Sequence, residues 1–272
     1  MTKSPPRHPI AELRSIIESL PEVSSLSQRR RKVLETELRE VVEQLGERLA
    51  VLDPIGQPTS IFDPSNPKVV GRFISLALVA QQRHALSTIP RTYGSGVYAI
   101  YYTGEFAAYS AISKSETPIY VGQAAPIVSN ARTPREQGPR LCSRLSDHRK
   151  NIAKAASTLK LEDFEFRSLV VQSGWETAAE DYLIHLFRPI WNSETNILYG
   201  LGKHGDSAET RANSRSPWDT LHPGRAWAAK SKADAKSPTI IEKELGEHFS
   251  KNPPFQSMDE VLASFLEELR QV

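Results

Sequence analysis

The sequence predicts an α+β fold: a small mixed or antiparallel β-sheet flanked by helices, with an N-terminal helical extension. Segments 96–102 and 118–122 are rich in β-branched and aromatic residues and are bounded by glycine or proline, which is typical of strands. Segment 163–171 first alternates polar and apolar residues and then turns wholly apolar, which suits a third strand. Elsewhere, apolar residues recur mostly three and four positions apart, which predicts amphipathic helices around this sheet.

Three helices are predicted ahead of the sheet, at 10–20, 28–52 and 67–86. Pro21 ends the first helix, and Pro67 suits the first turn of the third. The segment 28–52 would be about 36 Å long at 1.5 Å per residue, and its apolar residues form one stripe. That stripe must be covered, either by the chain's own core or by a second copy of the chain.

After the second strand, helices alternate with long connections. The helices are predicted at 141–156, 177–187, 240–250 and 258–269. The connections 103–117 and 199–216 are too long for simple turns, so both are expected to serve a function. The sequence thus predicts an N-terminal helical region at 1–87, a central domain at 88–229 and a C-terminal helical region at 230–272.

The composition is that of a globular protein that works in a reducing compartment. Of the 272 residues, 39% are hydrophobic, which is enough for a normal core. Cys142 is the only cysteine, which excludes an internal disulfide framework and a cysteine-based zinc site within one chain. The N-terminus is polar, and no run approaches the roughly 18 apolar residues of a membrane helix. We therefore expect a soluble, cytoplasmic protein with no membrane segment.

Positive charge is concentrated just after the second predicted strand. Between Gln123 and Lys154, seven basic residues stand against two acidic ones, a local charge of +5 in a chain of net charge +2. A solvated helix would carry the same charges, but such a cluster beside a candidate site also suits a phosphate-binding surface. Arg140, Arg144 and His148 are spaced four residues apart, so they share one face of the predicted helix.

Six candidate site residues follow one another in a defined order. They are Tyr98 in Gly96-Val97-Tyr98, Tyr120 in Tyr120-Val121-Gly122, Arg144, His148, Glu180 and Asn192. Gly122 has no Cβ, so backbone or a ligand can approach Tyr120 closely. Each candidate also has a purely structural interpretation: core aromatics for the tyrosines, solvated surface residues for Arg144 and His148, and a partly buried glutamate for Glu180.

This order and spacing resemble the GIY-YIG nuclease superfamily, and within it the type II restriction endonucleases that cut the palindrome CCGCGG. The resemblance extends from about Phe73 to about Lys251, and its strongest stretches are 96–104, 118–122, 147–154, 188–192 and 222–227. It implies a sheet of the GIY-YIG type and assigns 88–229 to a nuclease domain with DNA-recognition insertions. Valine replaces isoleucine in both eponymous triplets, and Gln123 stands where close relatives can carry lysine.

The resemblance implies that Tyr98 activates the water that attacks a phosphodiester bond of double-stranded DNA. A free phenol with a pKa of about 10 is a poor base. Arg144 and a metal would therefore have to lower that pKa, or Tyr98 would have to pass its proton on. Arg144 is expected to bind the phosphate. His148 is expected either to exchange a proton with Tyr98 or to bind the phosphate as well.

The resemblance also implies one Mg²⁺, with Glu180 as its sole protein ligand and water molecules completing its coordination. Tyr120 and Asn192 are expected to position the reacting groups by hydrogen bonds. The alternative is a structural role for both residues.

Sequence recognition is expected in 103–117, 199–215 and 222–227 rather than on the catalytic helix. Guanine presents acceptors in the major groove, for which arginine or lysine is the usual partner. The candidates for DNA binding are Lys203, Arg211, Arg215 and Arg225, with phosphate contact as their alternative role. A palindromic site calls for two active sites, so a homodimer or higher homo-oligomer is expected. The alternatives are a repair or homing nuclease of the same superfamily and a catalytically silent DNA-binding protein.

Overall fold

The structure is a computed structural model that describes residues 9–22, 25–52, 55, 58, 61–202, 214–231 and 233–270. The chain divides into two compact units, Met1–Ile61 and Phe62–Val272. The first unit contains helix α1 (Pro9–Glu18) and helix α2 (Gln28–Leu52), and α2 has the bounds that the apolar stripe predicts. The division into 1–87, 88–229 and 230–272 stays a prediction.

The second unit is built on an antiparallel four-stranded sheet in the order β1-β4-β2-β3. Its strands are β1 (His84–Ala85), β2 (Gly96–Tyr102), β3 (Tyr120–Ala124) and β4 (Phe164–Val170). The predicted α+β class is therefore confirmed, and this sheet is antiparallel rather than mixed. Within the described part of the chain, β3 forms one edge of the sheet.

Helices surround this sheet on both faces. They are α3 (Pro67–Val79), α4 (Pro134–Gln137), α5 (Arg140–Lys154), α6 (Glu176–Phe187), α7 (Pro217–Leu221), α8 (Pro238–Lys251) and α9 (Met258–Arg270). A separate parallel pair joins β5 (Ser214–Arg215) to β6 (Ala233–Asp234). Among the described residues, no helix combines the length and the apolar character needed to cross a membrane.

Strand β2 is buried on both faces and separates two hydrophobic clusters. Because side chains alternate along a strand, Tyr98 and Ile100 enter the cluster that α5 and α8 complete. Val97 and Ala99 enter the other cluster, which α3, α6 and α9 complete. The strand order and this alternation direct Tyr98 toward helix α5.

Three segments differ from the sequence prediction. The sequence predicts a helix over 67–86, but α3 ends at Val79 because the chain then pairs with β4 as strand β1. Strand β3 begins at Tyr120 and continues to Ala124, two residues beyond the predicted end. The segment 123–139, for which the sequence predicts no helix, contains the short helix α4, where Thr133 accepts a hydrogen bond from the backbone N–H of Glu136.

The connection 103–117 turns inward, although the sequence suggests contact with a partner. Tyr109 is fully buried, and its hydroxyl contacts Nε2 of His222 and accepts a hydrogen bond from the indole N–H of Trp191. Phe106 packs against the same cluster. The two aromatic residues of this connection therefore stabilise the core.

Candidate active site

Tyr98 and His148 form the centre of the site. The hydroxyl oxygen of Tyr98 lies 2.7 Å from Nε2 of His148, and the two side chains are 0% and 1% exposed. Burial raises the pKa of Tyr98 well above its ordinary value, although the positive charge of Arg144 lowers it. The phenol is therefore protonated near neutral pH. It can donate its proton to Nε2 when the imidazole carries its own proton on Nδ1.

Gly122 makes room for this contact. It pairs with Tyr98 across β2 and β3, and a Cβ at Gly122 would lie 2.4 Å from the Tyr98 hydroxyl oxygen. The same Cβ would lie 3.0 Å from Cε1 of Tyr120. The sequence correctly indicates a close approach at Gly122, but the approaching group is Tyr98 from the neighbouring strand.

Tyr120 and Arg144 complete the side of the site that solvent reaches. The Tyr120 ring lies 4.8 Å from the imidazole of His148 and 6.2 Å from the ring of Tyr98, measured between centroids. Burial raises the pKa of Tyr120, and Arg144 lowers it. Burial lowers the pKa of Arg144 itself, but Tyr98, Tyr120 and Asp147 raise it above its ordinary value. Arg144 is therefore a permanent cation beside both phenols.

Glu180 and Asn192 both reach the edge strand β3. The Glu180 Oε1 atom accepts a hydrogen bond of 3.1 Å from the backbone N–H of Gln123. Asn192 accepts a bond of 2.9 Å from the backbone N–H of Val121 and donates one of 2.9 Å to its carbonyl oxygen. These bonds occupy amides of β3 that a further strand would otherwise use. They fix helix α6 and Asn192 relative to the strand that carries Tyr120.

The electrostatics of Glu180 suit a cation. Burial raises the pKa of Glu180, hydrogen bonds from Gln123 lower it, and the charges of Glu194 and Asp181 raise it further. The negative charge of Glu180 also raises the pKa values of both tyrosines of the site. The positive charge of a bound cation would lower the pKa values of Glu180 and of both tyrosines.

The residues present fit Mg²⁺ in particular. No group of three or more His, Cys, Asp or Glu side chains in the described part of the chain is arranged to hold a metal. A single partly exposed carboxylate such as Glu180 fits Mg²⁺, because Mg²⁺ retains most of its water and often takes one or two carboxylates. Gln123, which stands where close relatives can carry lysine, contacts this carboxylate through its backbone N–H and its side chain, and its side-chain amide also donates to Thr177 Oγ1 at 3.2 Å.

Sequence reasoning missed Glu176, one turn before Glu180. Its side chain is 4% exposed, and Oε1 accepts a hydrogen bond of 3.0 Å from the hydroxyl of Ser95. Its Oε2 accepts a bond of 2.7 Å from the backbone N–H of Gly174. Because Ser95 directly precedes β2, Glu176 ties the start of α6 to the strand that carries Tyr98. A glutamate in the first turn of a helix is common, so the sequence offers no signal for this role.

Arg225 lies in the core and not on a surface that faces DNA. It is 1% exposed, and its guanidinium donates to Asp219 at 2.6 and 2.7 Å and to the carbonyl oxygen of Gly200 at 2.9 Å. It also stacks over the rings of Trp218 and Trp227. The structure does not support the predicted guanine contact of Arg225, because these donors already bind groups of the chain itself.

The other predicted DNA contacts have different positions. Arg215 is partly exposed on β5, where it donates to Asp234 at 2.7 Å. Lys203 and Arg211 lie outside the described residues. Of the four candidates, Arg215 is thus the only one that the structure describes at the surface.

Residues 90–249 match a family model described as the Eco29kI GIY-YIG domain. The match covers more than half of the chain and includes the six candidate site residues. No curated protein matches the chain significantly. The matched region contains strands β2, β3 and β4, helices α5 and α6, the contacts of Tyr98 with His148 and Gly122, and the bond from Gln123 to Glu180. The chain therefore belongs to the Eco29kI GIY-YIG domain family of restriction endonucleases, within the GIY-YIG nuclease superfamily.

Proposed function

We propose that this nuclease is a type II restriction endonuclease. It hydrolyses double-stranded DNA at a short GC-rich palindrome, which we take to be CCGCGG, and it depends on one Mg²⁺. The observation that carries the proposal is the buried contact of 2.7 Å between the Tyr98 hydroxyl and His148 Nε2. It lies beside a permanent cation, Arg144, and a partly exposed carboxylate, Glu180.

The contact between Tyr98 and His148 supplies a route for the proton of the attacking water. Burial raises the pKa of Tyr98, so its phenolate is too scarce to serve as an independent base. As the phenol oxygen takes a proton from water, its own proton passes to Nε2 of His148, which is within hydrogen-bond distance. Of the two alternatives for Tyr98, this geometry favours passing the proton on.

Arg144 and Glu180 provide the charges that the phosphate needs. The guanidinium of Arg144 neutralises the phosphate oxygens as negative charge accumulates on them in the transition state. Glu180 holds Mg²⁺, which when bound stabilises the charge on the phosphate and on the leaving oxygen. Glu176 and Asn192 keep Glu180 and Tyr120 in place through the bonds to Ser95 and Val121.

The recognition of a GC-rich site rests on the resemblance and on the basic residues near 199–215. Arg215 remains a candidate guanine contact at the surface, and Lys203 and Arg211 remain candidates from sequence. Arg225 instead fixes the backbone of Gly200 and Leu201, to whose carbonyl oxygens it donates at 2.9 and 3.2 Å. Its role is therefore to hold the backbone of Gly200 and Leu201 in place rather than to contact a base.

A homodimer is the simplest assembly that cuts both strands of a palindrome. Helix α2 supports this assembly, because none of its residues is buried although it carries an apolar stripe. Leu38, Val42 and Leu49 on that stripe are 37, 66 and 66% exposed. Leu34, Leu38 and Val42 also line a cavity of about 690 Å³. We place the enzyme in the cytoplasm, where a restriction enzyme meets invading DNA.

A plasmid cleavage assay tests the proposal. The protein is incubated with a plasmid that carries one CCGCGG site, and with a control plasmid in which that site is changed, in Mg²⁺ or in EDTA. We expect one linear product from the first plasmid in Mg²⁺ only. Non-specific smearing or structure-selective nicking would indicate a repair or homing nuclease. Binding without cleavage would indicate a silent DNA-binding protein.

A further inference from the structure

We propose that an open groove on the outer face of helix α5 binds the sugar-phosphate backbone of the DNA that flanks the cleavage site. The groove lies between α5 and the segment that leads into β2, and it has a volume of about 900 Å³. This inference rests on the proposed function, because it assumes that the substrate is duplex DNA.

The groove is distinct from the face of α5 that carries the catalytic residues. Arg144 and His148 are four residues apart and share one side of the helix. The groove is lined on α5 by residues between Cys142 and Lys150 that fall on the opposite side, including Ser146 and Arg149. At about 100° per residue, Ser146 and Lys150 lie roughly 160° from the mean direction of the catalytic pair.

The charge of the groove suits phosphates. Arg91 and Lys150 are exposed on its two walls, and Arg149 lies between them with one guanidinium nitrogen 3.2 Å from the Ser87 carbonyl oxygen. Asp147 is the only carboxylate among the lining residues, and it is 3.6 Å from the ammonium of Lys150. Three cations against one carboxylate leave a net positive surface, to which a phosphate backbone is attracted.

The other side chains of the groove also favour backbone over bases. Thr92 and Ser146 contribute hydroxyl groups that can donate to phosphate oxygens, whereas the hydroxyl of Ser143 already donates to the Pro139 carbonyl oxygen at 2.7 Å. Tyr93 is 55% exposed at the rim, where its ring can pack on a sugar and its hydroxyl can reach a phosphate. A positioning surface of this kind carries no sequence information, because the backbone is the same at every base pair.

The groove runs past the catalytic arginine, which is near the middle of its length along α5. Asp147, a groove residue, raises the pKa of Arg144, so the two side chains are close enough for their charges to interact. From Pro139 to Lys150 the groove extends about 17 Å along the helix at 1.5 Å per residue. That length corresponds to about five phosphates of one strand. A strand bound at Arg144 can therefore continue along the outer face of α5.

The test compares two double variants of equal charge. R91Q/K150Q removes two groove cations that lie outside the catalytic cluster. K243Q/R270Q removes two cations of α8 and α9 whose side chains are 78 and 77% exposed. The dissociation constant of each protein is measured for cognate and scrambled duplexes of about 30 base pairs, between roughly 50 and 200 mM salt without Mg²⁺.

We expect R91Q/K150Q to bind both long duplexes more weakly by a similar factor. Its slope of log affinity against log salt should fall by about two, since each phosphate contact contributes about 0.9. K243Q/R270Q should match the wild type throughout. Circular dichroism melting of both variants confirms that they are folded.

The outcomes separate this inference from the proposed function. If the wild type neither binds nor cleaves any duplex, the proposed function fails, and this inference fails with it. Suppose that the wild type cleaves the cognate duplex and that R91Q/K150Q and K243Q/R270Q have equal slopes and affinities. The proposed role of the groove is then refuted, while the proposed function stands. A loss by R91Q/K150Q that is confined to the cognate duplex also overturns the role of the groove, because the two residues would then contact bases rather than the backbone.

Discussion

The backbone of Gly122 lies directly against the hydroxyl group of Tyr98. An added Cβ would be 2.4 Å from the hydroxyl oxygen and 2.6 Å from Cζ, closer than non-bonded atoms approach. Tyr98 is fully buried and held by His148, so it cannot simply rotate away. An added Cβ at Gly122 on β3 would therefore displace the phenol of Tyr98 on β2.

Gly122→Ala should reduce cleavage at least about a hundredfold, because a reacting group displaced by about 1 Å has effects of that order. It should also lower the free energy of unfolding by about 1 to 3 kcal/mol through overpacking. Gly246→Ala is the control, since no atom lies within 4 Å of its added Cβ. Cleavage by Gly122→Ala at the rate of Gly246→Ala would show that Tyr98 does not act in the reaction. Urea unfolding and single-turnover cleavage measure the two effects.

Tyr98→Phe and His148→Gln should each slow single-turnover cleavage by about 10² to 10⁴, the usual contribution of general acid–base catalysis. The double variant should be no slower than the worse single variant, because a proton relay fails when either member is lost. Losses that multiply in the double variant would instead indicate independent roles, such as phosphate binding by His148.

Glu180→Gln should abolish cleavage but keep specific DNA binding, because it removes a charge from the metal site without changing its shape. It should also stabilise the fold near neutral pH. Burial raises the pKa of Glu180 above its value in the unfolded chain, so the ionised carboxylate opposes folding. The gain should vanish below about pH 4, where both states are protonated. Urea unfolding near neutral pH and below about pH 4 measures this gain in stability. Near-normal turnover of Glu180→Gln in Mg²⁺ would exclude Glu180 as the metal ligand.

His222 should make the wild-type fold sensitive to acid. Burial lowers the pKa of His222 to about 3, so the native state keeps it neutral while the unfolded state binds a proton below about pH 6.5. Stability is therefore retained above that pH and lost as the pH falls, by about 1.4 kcal/mol per unit. Between about pH 7.5 and pH 5, the wild type should lose about 2 kcal/mol more than His222→Gln in urea unfolding. Parallel losses in the two proteins would show that His222 is protonated in the native state.

Leu38→Glu combined with Leu45→Glu should convert a homodimer into a folded monomer, because it places charge on the apolar stripe of α2. Gln28→Glu combined with Thr36→Glu adds the same charge outside the apolar stripe of that helix and should leave the dimer intact. Light scattering at micromolar concentration measures the mass. A wild type with the mass of one chain, with and without DNA, would exclude the dimer.

Some residues of the candidate site can be selected from the sequence by their residue type and by their order along the chain. Tyr98, His148 and Glu180 carry chemistry that is visible in the residues, and the structure brings Tyr98 and His148 into direct contact. Their order along the chain also identifies the family. The bounds of β2 and α2 follow from local propensity and periodicity, which depend on neighbours in sequence.

The other features of the fold and of the candidate site depend on contacts between segments that are far apart in the sequence. The sequence does not show that β3 is an edge strand, so it does not show which amides Glu180 and Asn192 bind. An arginine that binds DNA and one that is buried have the same sequence signature. Arg225 is identified as a buried arginine only by its contacts in the structure with Asp219 and with two tryptophan rings. Long-range pairing of this kind has no local periodicity.

The bonds from Glu180 and Asn192 to the edge strand also protect the protein from aggregation. Unpaired backbone groups at a sheet edge invite a strand of another molecule, and here side chains occupy the amides of Val121 and Gln123. Loss of Asn192 would open that edge. Substitutions at Asn192 would then reduce the yield of soluble protein before they reveal any effect on turnover, so solubility must be measured alongside activity.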